Sequence, residues 1–167
     1  MPIPLSRKFL ALSAFAATLG VVAIAAHGQT PAVAPVPVAY APSFSDLMNI
    51  AIQPRHTKLA MAVRASNWTY AAYEVRELRN AFARIARTSP QYEGQDTATL
   101  ITMAKAPIDR LEAAIKANNA VEASQAFAAV TDSCNVCHTM IKRPYIAIVT
   151  PAASVFPNQD FSAKPGQ

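Results

Sequence analysis

The chain has 167 residues, with 15 Lys and Arg against 10 Asp and Glu, a formal net charge of +5 that is too mild to indicate a nucleic-acid partner. Its two cysteines exclude a disulfide scaffold, because a bond spanning only two intervening residues closes a small loop and staples nothing distant.

At the N-terminus, Arg7 and Lys8 precede an apolar run at 9–26, and Ala26-His27-Gly28 puts small residues where a cleavage site needs them. This pattern predicts a signal peptide over 1–28, cleaved near Gly28, and hence a periplasmic protein; the competing reading is a membrane anchor, since the run is about long enough to span a bilayer. Loss of Arg7 and Lys8 takes Lys and Arg from 15 to 13 and the net charge from +5 to +3. Residues 29–43 carry Pro31, Pro35, Pro37 and Pro42, a spacing that predicts an extended linker.

The remainder reads as helix after helix, with Gly94 the only glycine between Gly28 and Gly166. A first helix is predicted over 45–66, capped by Ser43 or Ser45 and kinked or restarted at Pro54, with Met48, Ile52, His56, Leu59 and Val63 on its inner stripe. A second starts at an Asn67 cap and ends before Pro90, with Trp68, Ala71, Val75, Leu78, Phe82 and Ile85 inward. Its charged residues, Glu74 and Glu77 with Arg76, Arg79, Arg84 and Arg87, read as a solvated surface. After a polar loop at 89–95, a third helix is predicted from about Asp96 or Thr97 to Ala117, with Leu100, Met103, Pro107, Leu111 and Ala114 inward and a kink at Pro107. Asn118 and Asn119 make a short connection that favours an antiparallel partner. The fourth helix is predicted over 120–143, stopped by Pro144, with Val121, Phe127, Val130, Cys134, Cys137, His138 and Ile141 on one face.

Cys134-Asn135-Val136-Cys137-His138 is a C-x-x-C-H motif, the pattern of covalent haem c attachment. Two thiols can add across the two haem vinyl groups while the adjacent imidazole reaches the iron. A thioredoxin-like motif would open a helix after a strand, and here it lies near the end of the last helix. Zinc would need Cys137 and His138, adjacent on one helix, to converge on a tetrahedron without a second C-x-x-C.

On helix number, helix order and motif position, residues 43–143 resemble the four-helix-bundle c-type cytochromes of the cytochrome c′ and cytochrome c-556 type. The resemblance implies an all-α antiparallel four-helix bundle over 44–143 with haem c (iron) as cofactor. It makes Cys134 and Cys137 the thioether residues and His138 the proximal ligand, and it offers Lys142 and Arg143 as partners for a haem propionate. Unlike the family, this chain continues as an apolar-rich arm over 144–167, which is expected to dock on the bundle. In the family the first helix supplies the residue on the iron's other face, and the candidates here are His56, Met61 and Met48, with Leu59 as the side chain of an open site.

A filled sixth position implies one-electron transfer with a periplasmic redox partner protein. An open one implies a gas-binding protein for nitric oxide or carbon monoxide. The resemblance also extends to a homodimer through the first two helices. A helical protein with a metal or disulfide at the motif is the plainest alternative, and no catalytic constellation argues for an enzyme.

Overall fold

Ser43 begins the first helical element. Its hydroxyl accepts from the Asp46 amide (3.1 Å) and the Asp46 carboxylate accepts from the Ser43 amide (3.0 Å), a reciprocal capping box. The computed structural model describes residues 40–162, so the expected signal peptide and nearly all of the linker lie outside the described residues. The first element has three parts: α1 (Phe44–Leu47), a π-helical turn (Met48–Ile52) and α2 (Gln53–Arg64). Pro54 sits in the first turn of α2, where its missing N–H is least costly, and the irregularity it demands is taken up by the wider turn just before it. The inner stripe is as expected in Ile52, His56, Leu59 and Val63, all buried.

α2 ends at Ser66 in the left-handed region (φ 51°), with Ser66 N–H donating to Val63 O and Asn67 N–H to Ala62 O. Asn67 then caps α3 (Trp68–Thr88) by accepting from the Tyr70 amide. Ala71, Val75, Leu78 and Ile85 are buried, but Glu74 departs from the expected solvated face and is fully buried. Arg55 Nη1 donates to both of its oxygens (3.3 and 3.1 Å) and the Tyr70 hydroxyl donates to one, which is what allows a carboxylate in the core.

The expected loop at 89–95 contains a minimal hairpin, β1 (Gln91–Tyr92) against β2 (Gln95–Asp96). Its turn residues Glu93 (φ 51°) and Gly94 (φ 74°) both lie at positive φ, the signature of a tight hairpin turn whose twist matches the strands. Phe44 stacks on Tyr92 with centroids 4.0 Å apart, tying α1 to the hairpin. Asp96 caps α4 (Thr97–Lys116), which continues through Pro107. Leu100, Ala104, Ile108, Leu111 and Ile115 form its buried stripe, so the inner face lies one residue round from the expected Met103 and Pro107, which are half-buried.

Asn118 (φ 53°) closes α4 and Asn119 caps α5 (Ala120–Met140). Val121 falls outside the phase of Ala123, Phe127 and Val130 and is 69% exposed, contrary to its expected place on the inner face. α5 also stops earlier than Arg143: Lys142 turns left-handed (φ 59°) and the Arg143 amide donates back to His138 O (2.7 Å). A residue preceding proline disfavours the helical region, which explains the early stop.

The fold is all-α apart from the hairpin. α2 packs on α3, α3 on α4, α4 on α5 and α5 on α2 around Leu59, Leu78, Leu111 and Val130. Beyond α5, residues 141–162 are non-helical. Arg64 donates to the Pro151 and Ala152 carbonyls, Asn67 Nδ2 to Phe161 O (3.1 Å), and Lys58 Nζ lies 4.7 Å over the Phe156 ring. Tyr145, Val149 and Val155 in this segment remain largely exposed. No helix among the described residues is long and apolar enough to cross a membrane.

Candidate haem attachment site

The spacing of Cys134 and Cys137 on α5 puts both thiols on the same helix face, and with His138 they line one cavity of about 300 Å³. The facing wall comes from α1, the π-helical turn and the start of α2 through Phe44, Met48, Ile52 and His56; α4 contributes Leu100, Ile101 and Ala104. The cavity lining is mostly apolar, although this wall also carries the polar side chains of Ser45, Asn49, Gln53 and His56.

The histidine of the motif is oriented by an element the sequence did not mark. His138 Nδ1 lies 2.6 Å from the Ile146 carbonyl oxygen. A carbonyl only accepts, so Nδ1 carries a proton, and of the two neutral tautomers this contact selects the one with its lone pair on Nε2, that of a metal ligand. Among the described residues no three or more His, Cys, Asp or Glu side chains come together as a metal-binding group.

Neither cysteine is in a disulfide. Burial, and then the neighbouring Cys137, push the Cys134 thiol up to about 11; burial also raises Cys137. Both lie in the C-terminal half of α5, where the helix dipole opposes a thiolate. They therefore lack the electropositive setting of a thiol–disulfide exchange motif.

The other expected site residues divide. Arg143 lines the cavity and pairs with Glu93 of the hairpin turn, whereas Lys142 is exposed and does not line the cavity. Met48 and His56 line the opposite wall, while Met61 and Leu59 are buried in the helical core away from the cavity. His56 Nε2 is 2.9 Å from Thr131 Oγ1, and that hydroxyl donates to Phe127 O (3.1 Å). With its one proton so used, the hydroxyl accepts from His56 Nε2–H. The His56 ring also packs on Phe127 (4.7 Å), and burial lowers its pKa to about 4, keeping it neutral.

Sequence reasoning missed Thr97 and Tyr92 on the cavity wall. Thr97 Oγ1 is buried with no hydrogen-bond partner among the described residues, a polar atom at a cavity still wanting one. Its place at the start of α4 was legible, but its exposure to the cavity depends on how the hairpin turns the chain. Comparison with protein-family models, with curated proteins and with solved structures gave no match to this chain.

Proposed function

We propose that this chain is an exported c-type cytochrome of the four-helix-bundle kind, carrying one electron between larger periplasmic redox proteins. The observation that carries the reading is the convergence of Cys134, Cys137 and His138 on one apolar cavity, with the His138 lone pair left on Nε2 by the Ile146 carbonyl. The cyclic packing of α2, α3, α4 and α5 supports an antiparallel four-helix bundle with the C-terminal segment as an arm beside it.

In this reading Cys134 and Cys137 hold the ring through thioether bonds, and His138 supplies the proximal nitrogen. Bound haem supplies a one-electron iron couple. Ile52, Leu100 and Ala104 keep water from the ring, and Arg143, on the cavity wall, offers a cation to a propionate. On the facing wall, His56 donates Nε2–H to Thr131 and keeps its lone pair on Nδ1, so His56 and Met48 are both candidates for the sixth position.

The test is the chain produced with haem c maturation. The expected outcome is a positive pyridine haemochrome and a low-spin spectrum insensitive to carbon monoxide. Of Met48→Ala and His56→Ala, the variant that removes the sixth ligand is expected to become high-spin and to bind carbon monoxide on reduction, while the other stays low-spin. A wild-type spectrum that is high-spin and binds carbon monoxide would instead support a gas-binding protein with an open site. Absence of covalent haem would sink the proposal.

A further inference from the structure

We infer that Asn135, the first variable residue of the C-x-x-C-H motif, is a positioning residue for the motif's own histidine, acting through the chain beyond α5. The inference rests on the haem reading above.

Asn135 is half-buried on α5 and its amide brackets one residue of the following segment. Asn135 Nδ2 donates to the Ile148 carbonyl (2.9 Å), and the Ile148 amide donates to Asn135 Oδ1 (2.7 Å). Both hydrogen-bonding groups of one backbone residue are thereby fixed by one side chain, as a neighbouring strand would fix them. Two residues earlier, the Ile146 carbonyl meets His138 Nδ1 at 2.6 Å. The Ile146 amide donates in turn to Arg143 O (3.0 Å), so a turn after α5 and the Asn135 clamp hold that carbonyl from both sides.

The clamp is needed because little else holds this stretch. Ile146 is 45% exposed, and its neighbours Tyr145 and Val149 are 74% and 72% exposed. Without Asn135, the apolar anchoring of 145–149 falls chiefly to Ile148, half-buried on the cavity wall. A carbonyl on Nδ1–H fixes the ring's tautomer and rotation and strengthens Nε2 as a donor to iron, which stabilises the ferric state. Asn135 thus controls the iron's proximal side from outside the coordination sphere.

The experiment uses the full haem-bearing chain and two variants that break the clamp from opposite sides, Asn135→Ala and Ile148→Pro. The His138 Nδ1 proton is followed by NMR and the midpoint potential by spectroelectrochemistry. The expected result is a solvent-protected Nδ1 proton in the parent chain, loss of that protection in both variants, and a higher midpoint potential in both. Asn135→Asp, which keeps the acceptor for Ile148 N–H but loses the donor, is expected to fall between in Nδ1 protection. Protection unchanged in Asn135→Ala and Ile148→Pro would overturn the inference while leaving the haem reading intact. A parent chain without covalent haem would overturn both, and the haemochrome assay tells the two failures apart.

Discussion

Glu74 shows how one residue's partners decide its place. A carboxylate this deeply buried is costly unless its oxygens are satisfied, and here it accepts three hydrogen bonds, two from Arg55 Nη1 across from α2 and one from the Tyr70 hydroxyl on its own helix. The Tyr70 hydroxyl is in turn pushed up to about 12, first by burial and then by its bond to Glu74. An unfolded tyrosine loses its proton near pH ~10, so between about 10 and 12 the folded state holds a proton that the unfolded state has released. Stability from this group is full below the unfolded value and falls as pH rises through the folded one. Tyr70→Phe is therefore expected to flatten the decline of urea-unfolding free energy over that window, and to remove the last step of the tyrosinate absorbance titration. An unchanged alkaline titration would show that Tyr70 is not the late group. None of this was legible in the sequence, because helical phase places Glu74 beside Val75 but cannot show that Arg55 reaches it from another helix. The inward place of His56 was legible, whereas its bond to Thr131, 75 residues away, was not.

Three helices end on a left-handed residue that is not glycine: Ser66, Asn118 and Lys142. Each end is closed by the same pair of local backbone bonds. Asn tolerates this conformation, but for Lys142 the β-carbon costs roughly 1 kcal/mol. Lys142→Gly is accordingly expected to raise stability by about 1 kcal/mol, seen as a higher midpoint in thermal unfolding. A fall in the midpoint would mean that the lysine side chain stabilises more than its backbone costs. Helix identity and the Asn67 and Asp96 starts were readable because caps and apolar period act locally. The hairpin at 91–96 and the π-helical turn before Pro54 were not, since each depends on what the chain packs against next.

At the scale of the whole molecule, the helices are held in two ways. α3, α4 and α5 pack in direct succession, and Leu78, Ile85, Leu111 and Val130 are all nearly or fully inaccessible. α1 and the π-helical turn instead form one wall of the cavity and face α5 across it, secured mainly by the Phe44–Tyr92 stack and by Leu47 and Ile52 in the core. An apolar cavity of this size weakens whatever spans it unless something fills it. In the haem reading the filler is covalently tethered, and its loss should act on one side of the protein before the other. In a Cys134→Ser/Cys137→Ser chain purified without haem, the amides of 44–52 are expected to lose hydrogen-exchange protection relative to the haem-bearing parent, while those around Leu78, Leu111 and Val130 stay slow. Equal protection of 44–52 in the two proteins would mean that the first helical element is seated by its own packing. The cavity would then be an ordinary void, and the case for haem would rest on the motif and the His138 tautomer alone.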